Sequence, residues 1–386
     1  MPTPKKKNYD KLALAAHKKM GGKLELKSKG ALKSKDDWST MYTPGVGAVS
    51  LAVAKDPKLA RTYTIKRNSV AVVSDGSAVL GLGNIGPLGA LPVMEGKCAI
   101  FKAMADVDAW PIVLDTQDED EIVAIVKAIA PGFGGINLED ISAPRCFEIE
   151  DRLKKELDIP VFHDDQHGTA IVVLAGLINA AKVVKKKLNG LKVVVVGAGA
   201  AGRAITLILL QAGITDVIVT DSRGIINRNR PALAGYKKKL AKDTNPRNVK
   251  GELVDALESA DVVIGVSGPG TISKHHVEVM AERAVVFGLA NPVPEIYPAD
   301  AKAAGAAVIA TGRSDYPNQV NNSLVFPGIF RGALDKGVNA ITDDMKVLAA
   351  KKLAALVKKP TAEKIIPGVM EPDVMKTVAS AISVAK

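Results

Sequence analysis

Residues 192–221 read KVVVVGAGAAGRAITLILLQAGITDVIVTD, and this stretch decides the fold of the second half of the chain. An apolar strand enters a G-x-G-x-x-G turn, a helical stretch follows, and a second apolar strand ends at Asp221. In such a turn the first glycine permits the tight bend, the second lets backbone approach a pyrophosphate, and the third lets the helix pack closely on the strand. The helix start offers free N–H groups to phosphates. The whole unit predicts a Rossmann-type dinucleotide-binding domain.

The predicted cofactor-binding positions are the turn itself and the acid that ends the second strand: Gly197, Ala198, Gly199, Ala200, Ala201, Gly202 and Asp221. A carboxylate at Asp221 can accept a hydrogen bond from a ribose 2′-OH, which favours NAD. Arg223 lies two residues on and can reach a 2′-phosphate, so NADP stays open. A second glycine match at 81–86 has no strand-to-helix frame, and it is interpreted as a glycine-rich turn that can line a site.

Short β-branched runs alternate with helical stretches along the chain, which predicts an α/β fold with largely parallel sheets. The predicted strands are 69–73, 110–114, 136–138, 159–163, 192–196, 216–220, 261–266, 284–289 and 307–310. The main predicted helices are 89–105, 118–130, 143–157 and 168–187, with two or three more after residue 327. Two domains are predicted. Residues 1–165 form an α/β domain with the substrate, metal and acid–base groups, and residues 166–386 form the NAD(P)-binding domain, whose last helices can pack back on the first.

The 386 residues carry a formal net charge of +11, but eleven lysines against two acids place +9 of it in residues 1–35. The rest is near neutral and only 4% of residues are aromatic, which argues against nucleic-acid binding. Two cysteines outside any Cys/His cluster argue against a disulfide framework and favour the cytoplasm. No apolar run approaches the roughly 18 residues of a membrane span. The basic segment is expected to be a helical arm that reaches a partner subunit.

Carboxylates follow two strands that are consecutive in the chain. Glu139 and Asp140 lie in GINLEDIS, and Asp165 lies in IPVFHDDQHGTA. Because the carboxyl ends of parallel strands share one edge, the three groups can meet there, and they would repel one another without a cation. Oxygen ligands suit Mg²⁺ or Mn²⁺. The alternative is that Asp140 and Asp165 cap helices, and the pattern leaves both open. His163 and His167 are expected to be structural, because they do not form a helical pair.

Two residues are candidates for acid–base chemistry. Tyr42 lies in the turn MYTPGVG, where neighbouring glycines permit close approach of a ligand. Lys97 lies in the apolar stretch VMEGKCAIFKAMA, where poor hydration would lower its pKa and make it a base. Lys102 is a weaker candidate of the same kind. The alternative for Lys97 is a lysine that snorkels at a helix edge, and the pattern alone favours that alternative.

Seven motifs stand in order between about Tyr42 and Phe330: YTPGVG, VSDGSAVLGLGNIGPLGALPVMEGKCAIFK, INLEDI, VFHDDQHGTA, VVGAGAAG, GLANPVPEI and QVNNSLVFPG. As an ordered set they resemble the malic enzyme family, specifically its short prokaryotic type. The resemblance implies that Lys97 is the general base and Tyr42 the general acid. It further implies these roles: divalent-metal ligands Glu139, Asp140 and Asp165; a group orienting that centre, Asp164; substrate and nicotinamide contacts Asn291, Asn321 and Asn322; and a dinucleotide contact Ser267.

The activity implied by the resemblance is oxidative decarboxylation of L-malate to pyruvate and CO₂ with reduction of NAD or NADP, dependent on Mg²⁺ or Mn²⁺, with decarboxylation of oxaloacetate beside it. The resemblance also implies a homodimer or a dimer of dimers. One departure concerns Ala78, which stands where larger members carry an arginine that contacts a substrate carboxylate. Rival interpretations are a malolactic-type reaction, a metal-free amino-acid dehydrogenase, and a non-catalytic protein that senses dinucleotides or binds nucleic acid.

Overall fold

A computed structural model describes residues 9–30, 32–233 and 235–384 of the chain. Within these residues the strands form two sheets, one in each half of the molecule. The first sheet consists of β1 (Ser69–Ser74), β2 (Asp108–Val113), β3 (Gly135–Leu138) and β4 (Val161–His163). The second consists of β5 (Val193–Val196), β6 (Val217–Asp221), β7 (Gly224–Ile225), β8 (Val262–Gly265), β9 (Val285–Gly288) and β10 (Val308–Thr311).

The first sheet is entirely parallel, in the order β2-β1-β3-β4. The order reverses between β1 and β3, so the connections leave a crevice at the carboxyl ends of these strands, where open α/β sheets bind ligands. All six residues of β1 are buried, as expected for a strand covered on both faces. This topology places the residues that follow β3 and β4 at one shared edge.

The second sheet has the order β10-β9-β8-β5-β6-β7, with every pair parallel except β6 with β7. The order reverses between β5 and β8, as in doubly wound dinucleotide-binding sheets. β5 is a run of four buried valines, and the glycine-rich turn follows it directly. The turn therefore lies at the switch point of the sheet.

Sixteen α-helices connect and flank the sheets within the described residues. In the first half they are α1 (Tyr9–Met20), α2 (Lys35–Met41), α3 (Val46–Lys55), α4 (Ala60–Tyr63), α5 (Gly86–Ala105), α6 (Glu119–Ile129), α7 (Arg145–Glu156) and α8 (Asp164–Val183). In the second half they are α9 (Ala200–Gln211), α10 (Gly235–Asp243), α11 (Leu253–Leu257), α12 (Lys274–Glu278), α13 (Pro298–Ala303), α14 (Phe326–Lys336), α15 (Asp343–Ala355) and α16 (Val374–Ala379). None of the helices in the described ranges has the length and apolar character required to cross a membrane.

All nine predicted strands are present. The structure also contains β7, which was not predicted because a strand of two residues leaves no pattern in the sequence. The prediction for α8 was wrong at both ends. The helix begins at Asp164 rather than Gly168, because two aspartates in its first turn favour the positive end of the helix dipole. It ends at Val183 rather than Lys187, because Lys185 takes a left-handed conformation with φ of 57°.

The C-terminal helices pack back on the first half of the chain. The ring of Phe101 in α5 meets Phe326 and Phe330 of α14 edge-on, with centroids 4.7 and 5.4 Å apart. One apolar core continues from α5 through α8 and α9 to the second sheet. The two halves are therefore joined by a shared layer of buried helices, which fixes the two sheet edges relative to each other.

Candidate active site

The carboxyl edge of the first sheet gathers three acidic side chains. Glu139 directly follows β3, Asp140 is the next residue, and Asp165 lies in the first turn of α8 after β4. One oxygen of each carboxylate lies within 4.8 Å of the other two. Glu139 and Asp140 are almost fully buried, and Asp165 is half-buried. The structure thus brings together the carboxylates that the strand ends predicted to be neighbours.

Backbone hydrogen bonds hold the acidic residues in place. Asp140 has a left-handed φ of 53°, and its N–H donates to Asp165 Oδ2 at 2.9 Å. Its carbonyl accepts from the N–H of Ala78 at 2.9 Å. The helix after Asp140 begins only at Arg145, and the N-cap of α8 is His163. The helix-capping interpretation of Asp140 and Asp165 is therefore wrong.

Lys97 of α5 projects into this acidic cluster. Its Nζ donates to Glu139 Oε1 at 2.7 Å and to Asp164 Oδ2, and it lies 4.0 Å from the centroid of the Phe326 ring. Burial alone would lower the pKa of Lys97, but attraction from Asp164 and Glu139 outweighs burial and raises this pKa above its ordinary value. The prediction that the pKa of Lys97 is lowered was wrong, because electrostatic attraction by the surrounding carboxylates raises this pKa more than burial lowers it. The snorkelling alternative is also wrong, since the ammonium group is buried.

The pKa values of two carboxylates of the site are raised, which shows that nearby positive charge does not fully balance their negative charge. Burial, together with Asp165 and Glu139, raises the pKa of Asp140 to about 9. Burial raises the pKa of Asp164 to about 6, although Lys97 opposes it. Asp140 Oδ2 and Asp164 Oδ1 are buried and have no hydrogen-bond partner within the described residues. Closely spaced acidic oxygens without partners create a strongly negative site, which a bound cation would stabilise.

The two histidines beside the cluster face different surroundings. His163 is fully buried, with Nδ1 3.9 Å from Asp165 Oδ2, and its ring nitrogens have no hydrogen-bond partner in the described ranges. His167 lies in α8, and its Nε2 meets Glu150 Oε1 at 2.9 Å. The two rings therefore do not converge as a ligand pair.

Tyr42 is not brought to the cluster within this chain. It is the residue directly after α2, and 64% of its surface is exposed. No hydrogen bond in the described part of the chain joins its hydroxyl to Lys97 or to the acids. Tyr42 is one of several large apolar side chains that are exposed in the first four helices and the residue after α2: Leu12, Leu14, Trp38, Met41, Tyr42, Leu51 and Tyr63. We call these the exposed N-terminal apolar residues.

The glycine-rich turn has the geometry that its sequence predicted. Gly197 has a φ of 116°, and a Cβ there would lie 2.6 Å from the carbonyl oxygen of Val266. A Cβ on Gly202 would overlap the carbonyl oxygen of Gly197, so α9 packs directly on the turn. Gly199 instead faces open space, and α9 begins at Ala200. The N–H groups that open α9 are thus available at the surface of the turn.

A cavity of about 460 Å³ borders the turn. Its lining includes residues of both halves: Ala143, Gly197, Ala198, Gly199, Asp221, Tyr236, Lys237 and Ser267. The cavity joins the turn to the end of β6, the span that an adenosine diphosphate moiety needs in this fold.

Asp221 is held by two cations that the sequence did not reveal. Arg230 Nη2 donates to Asp221 Oδ1 at 2.8 Å, and Lys237 Nζ donates to Oδ2 at 2.6 Å. The backbone N–H of Arg223 also donates to Oδ1, at 2.9 Å. Burial would raise the pKa of Asp221, but these donors outweigh it and lower the pKa, so the group is a carboxylate at neutral pH.

The three asparagines follow strands of the second sheet: Asn291 comes after β9, and Asn321 and Asn322 come after β10. A Cβ on Gly81 would lie 2.7 Å from the carbonyl oxygen of Asn291, so the glycine-rich turn of the first half packs against a loop of the second. The Asn321 side chain caps the short turn that follows it. Asn322 lies beside Gly168 of α8, with its Cβ 3.2 Å from where a Cβ on Gly168 would stand. Asn322 therefore lies near Asp164, whose Oδ1 borders the same position.

The sequence analysis did not identify two buried glutamates, Glu295 near the cofactor cavity and Glu150 near the acidic cluster. Glu295 accepts from the N–H groups of Ser267 and Ala290 at 2.8 and 3.0 Å, so it ties together the ends of β8 and β9. Glu150 supports the segment that carries Asp165. The sequence did contain one signal for Glu150: it is an acidic residue at a position of α7 whose helical neighbours Cys146 and Leu153 are apolar and buried.

The two sheets, the glycine-rich turn beside a cavity, and the carboxylate cluster with its buried lysine define a two-domain, dinucleotide-dependent oxidoreductase. Residues 21–154 match the model of the malic enzyme N-terminal domain, and residues 166–386 match that of the malic enzyme NAD binding domain. The chain belongs to the malic enzyme family.

Individual relatives are similar along most of the chain. An NAD-dependent malic enzyme of Geobacillus stearothermophilus is 57% identical, over 94% of this chain and 76% of the relative. A bifunctional malic/malolactic enzyme of Bacillus subtilis is 52% identical, over 97% of this chain and 92% of the relative. The crystal structure of an NAD-dependent malic enzyme from Thermotoga maritima superposes with a TM-score of 0.93 at 50% identity, covering 96% of this chain and 98% of that one.

Proposed function

We propose that this protein catalyses the oxidative decarboxylation of L-malate to pyruvate and CO₂ with reduction of NAD(P)⁺, and that it requires a divalent metal ion. The observation that carries the proposal is the carboxylate cluster of Glu139, Asp140 and Asp165, within 4.8 Å of one another and joined to the buried Lys97. Membership of the malic enzyme family supports the same reaction. Oxaloacetate, the ketone of malate, is proposed as a second substrate for decarboxylation.

The donor set fits Mg²⁺ or Mn²⁺. All three proposed ligands offer carboxylate oxygens, which these hard cations prefer. Asp140 Oδ2 has no hydrogen-bond partner among the residues that the structure describes, and the pKa of Asp140 is raised. Both observations indicate that its ionised form would be stabilised by a nearby cation. A bound divalent ion supplies Lewis-acid polarisation of a substrate oxygen.

Lys97 is proposed as the base that takes the proton of the substrate hydroxyl, and Asp164, which accepts a hydrogen bond from Nζ, is proposed to orient this centre. The neighbouring carboxylates by themselves raise the pKa of Lys97 and keep it protonated. A divalent cation bound to these carboxylates would offset their charge and lower the pKa of Lys97 toward the range of a base. Burial by Phe326 keeps water away from Nζ. Tyr42 is proposed as the acid that protonates carbon after CO₂ has left. Because Tyr42 is exposed and is not joined to the acidic cluster within one chain, this role requires a movement or a second subunit to bring it there.

The proposed cofactor contacts are residues 197–202, Asp221, Ser267 and Asn291. Asp221 lies where the ribose hydroxyls of a bound dinucleotide would lie, and its carboxylate favours NAD. Arg230 and Lys237, which pair with Asp221, would in contrast favour the 2′-phosphate of NADP. The chain is similar to both NAD-dependent and NADP-dependent malic enzymes, so the preference is open to measurement. Asn291, Asn321 and Asn322 are proposed to contact the substrate.

Three further proposals concern organisation. We divide the chain into domains at 1–165 and 166–386, because the first sheet ends before this point and the second begins after it. We propose a homodimer, or a dimer of dimers, because the exposed N-terminal apolar residues place many large side chains in solvent in one chain. We propose a cytoplasmic location, supported by two free buried cysteines, Cys98 and Cys146. Light scattering after size exclusion tests the dimer, and a monomer at micromolar concentration would overturn it.

An initial-rate assay with L-malate, Mn²⁺ and either cofactor tests the reaction. We expect equal amounts of pyruvate and reduced cofactor, no turnover after EDTA treatment, and recovery with Mn²⁺. Asp165→Asn should abolish turnover, whereas Asp158→Asn, an exposed carboxylate before β4, should not. Activity that survives chelation would overturn the metal requirement.

A malolactic reaction is the second candidate, because the similar Bacillus subtilis protein is named as a bifunctional malic/malolactic enzyme. It would produce lactate without net reduced cofactor. Lactate as the sole product would replace the proposed reaction with this one.

A further inference from the structure

Glu150 of α7 lies behind the acidic cluster and touches the segment that carries Asp164 and Asp165 from both sides. Its Oε1 accepts from the backbone N–H of His163 at 3.0 Å, on the strand side of the pair. On the helix side, Gln166 Nε2 donates to Oε2 at 3.2 Å. One buried side chain therefore fixes the residues immediately before and after the two aspartates.

Further partners keep Glu150 ionised and in position. His167 Nε2 donates to Oε1 at 2.9 Å, and Lys154 Nζ lies 2.7 Å from the same oxygen. Burial would raise the pKa of Glu150, but His167 and Lys154 hold it well below its usual range. Glu150 is 2% exposed, so these donors have no competition from bulk water. Four donors surround Glu150, and an ionised carboxylate can satisfy all of them because its two oxygens only accept hydrogen bonds.

The same group links the acidic cluster to the cofactor helix. Gln166, which donates to Glu150, accepts through Oε1 from Arg203 of α9 at 3.3 Å. The guanidinium of Arg203 stacks 4.4 Å from the Phe147 ring, one turn before Glu150 on α7. α7, α8 and α9 are thus connected by polar contacts at the level of the proposed metal ligands.

We propose that Glu150 is a positioning residue for metal binding: by holding His163, Gln166 and His167, it sets the place of Asp165 beside Glu139 and Asp140. The inference rests on the proposed metal site and adds a residue that contacts neither metal nor substrate. In metal sites, partners that orient the ligands change affinity by about 10- to 100-fold when they are removed.

The test is a titration of Mn²⁺ followed by the electron paramagnetic resonance signal of the free ion, with whole protein and no substrate. Glu150→Gln keeps the shape but turns an N–H₂ group toward donors. We expect its Mn²⁺ dissociation constant to rise about 10- to 100-fold. NAD affinity measured by calorimetry should change much less, because Glu150 reaches α9 only indirectly, through Gln166. In turnover, we expect a raised Mn²⁺ requirement with kcat restored at saturating Mn²⁺. A purely structural role would lower kcat at every Mn²⁺ concentration.

Asp261→Asn is the matched control, because Asp261 also holds a backbone N–H, that of Lys192, together with a lysine, Lys186, away from the cluster. It should leave Mn²⁺ affinity unchanged. If Glu150→Gln does not fold, Glu150→Asp is measured instead. It keeps the charge, but its side chain is one methylene too short to reach both His163 and Gln166. We expect it to bind Mn²⁺ more weakly. Wild-type affinity in a folded variant would overturn the positioning role. Failure of the wild type to bind Mn²⁺ would instead overturn the proposed metal site.

Discussion

Replacing Lys97 by methionine removes the ammonium group from the acidic cluster while it keeps the apolar stem. Lys97 is 7% exposed and neutralises Glu139 at 2.7 Å and Asp164. Removing one partner of a buried ion pair costs about 3–5 kcal/mol, because the other charge remains buried. We therefore expect Lys97→Met to lower the free energy of unfolding in EDTA by about that amount at neutral pH.

The same substitution should lower kcat by about 10²- to 10⁴-fold, the usual contribution of a positioned acid–base group. NAD binding should be unchanged, because the glycine-rich turn lies in the other sheet. Mn²⁺ should stabilise the variant more than the wild type, since the acids have lost their own cation. Urea unfolding with and without Mn²⁺, and initial rates with L-malate, measure these effects.

Lys102→Met is the control on the same helix. Lys102 pairs with Asp106 and Asp108 at the surface, and its side chain is 54% exposed. Exposed pairs contribute about 0–1 kcal/mol, so this variant should keep its stability and full activity. If Lys97→Met turned over malate as fast as Lys102→Met, Lys97 would not be the base.

Three other predictions follow from local contacts. Gly168→Ala should lower the free energy of unfolding by about 1–3 kcal/mol, because the added methyl group overlaps Asp164 Oδ1; an unchanged urea midpoint would contradict this. Asp221→Asn should cost about 1–3 kcal/mol at pH 7. The pKa of Asp221 in the folded protein is lowered from 3.8, so its carboxylate stabilises the fold above pH 3.8, and this stabilisation is lost as the pH falls through the folded pKa. The stability difference between wild type and variant should therefore disappear in acid, and a constant difference down to acid pH would refute this. Burial raises the pKa of Cys98 and Cys146 to about 12, so native protein should not react with a disulfide reagent at pH 8, whereas unfolded protein should expose two thiols; a fast native thiol would contradict this.

The strands and the acidic cluster were predictable from sequence because both follow from local patterns and one rule of topology. Apolar runs located the nine strands, and consecutive parallel strands place their carboxyl ends at one edge. The sequence alone was therefore sufficient to group Glu139, Asp140 and Asp165. The glycine turn was predictable for the same reason, because the close approach of Gly202 to Gly197 is built into the motif.

Contacts that depend on three-dimensional neighbours were not predictable. Arg230 and Lys237 reach Asp221 from 9 and 16 residues away, across a loop whose path the sequence does not define. The pKa of Lys97 was expected to fall because its own segment is apolar, and the decisive charge of Asp164 comes from another helix. The exposed position of Tyr42 likewise depends on how the N-terminal helices fold.

Diffraction from crystals grown with Mn²⁺, recorded for anomalous scattering, would locate the cation within the fold. We expect one strong anomalous peak bounded by the carboxylate oxygens of Glu139, Asp140 and Asp165, and no such peak in Asp165→Asn crystals. A protein that turns over malate with Mn²⁺ but shows no peak between these three carboxylates would contradict the proposed site.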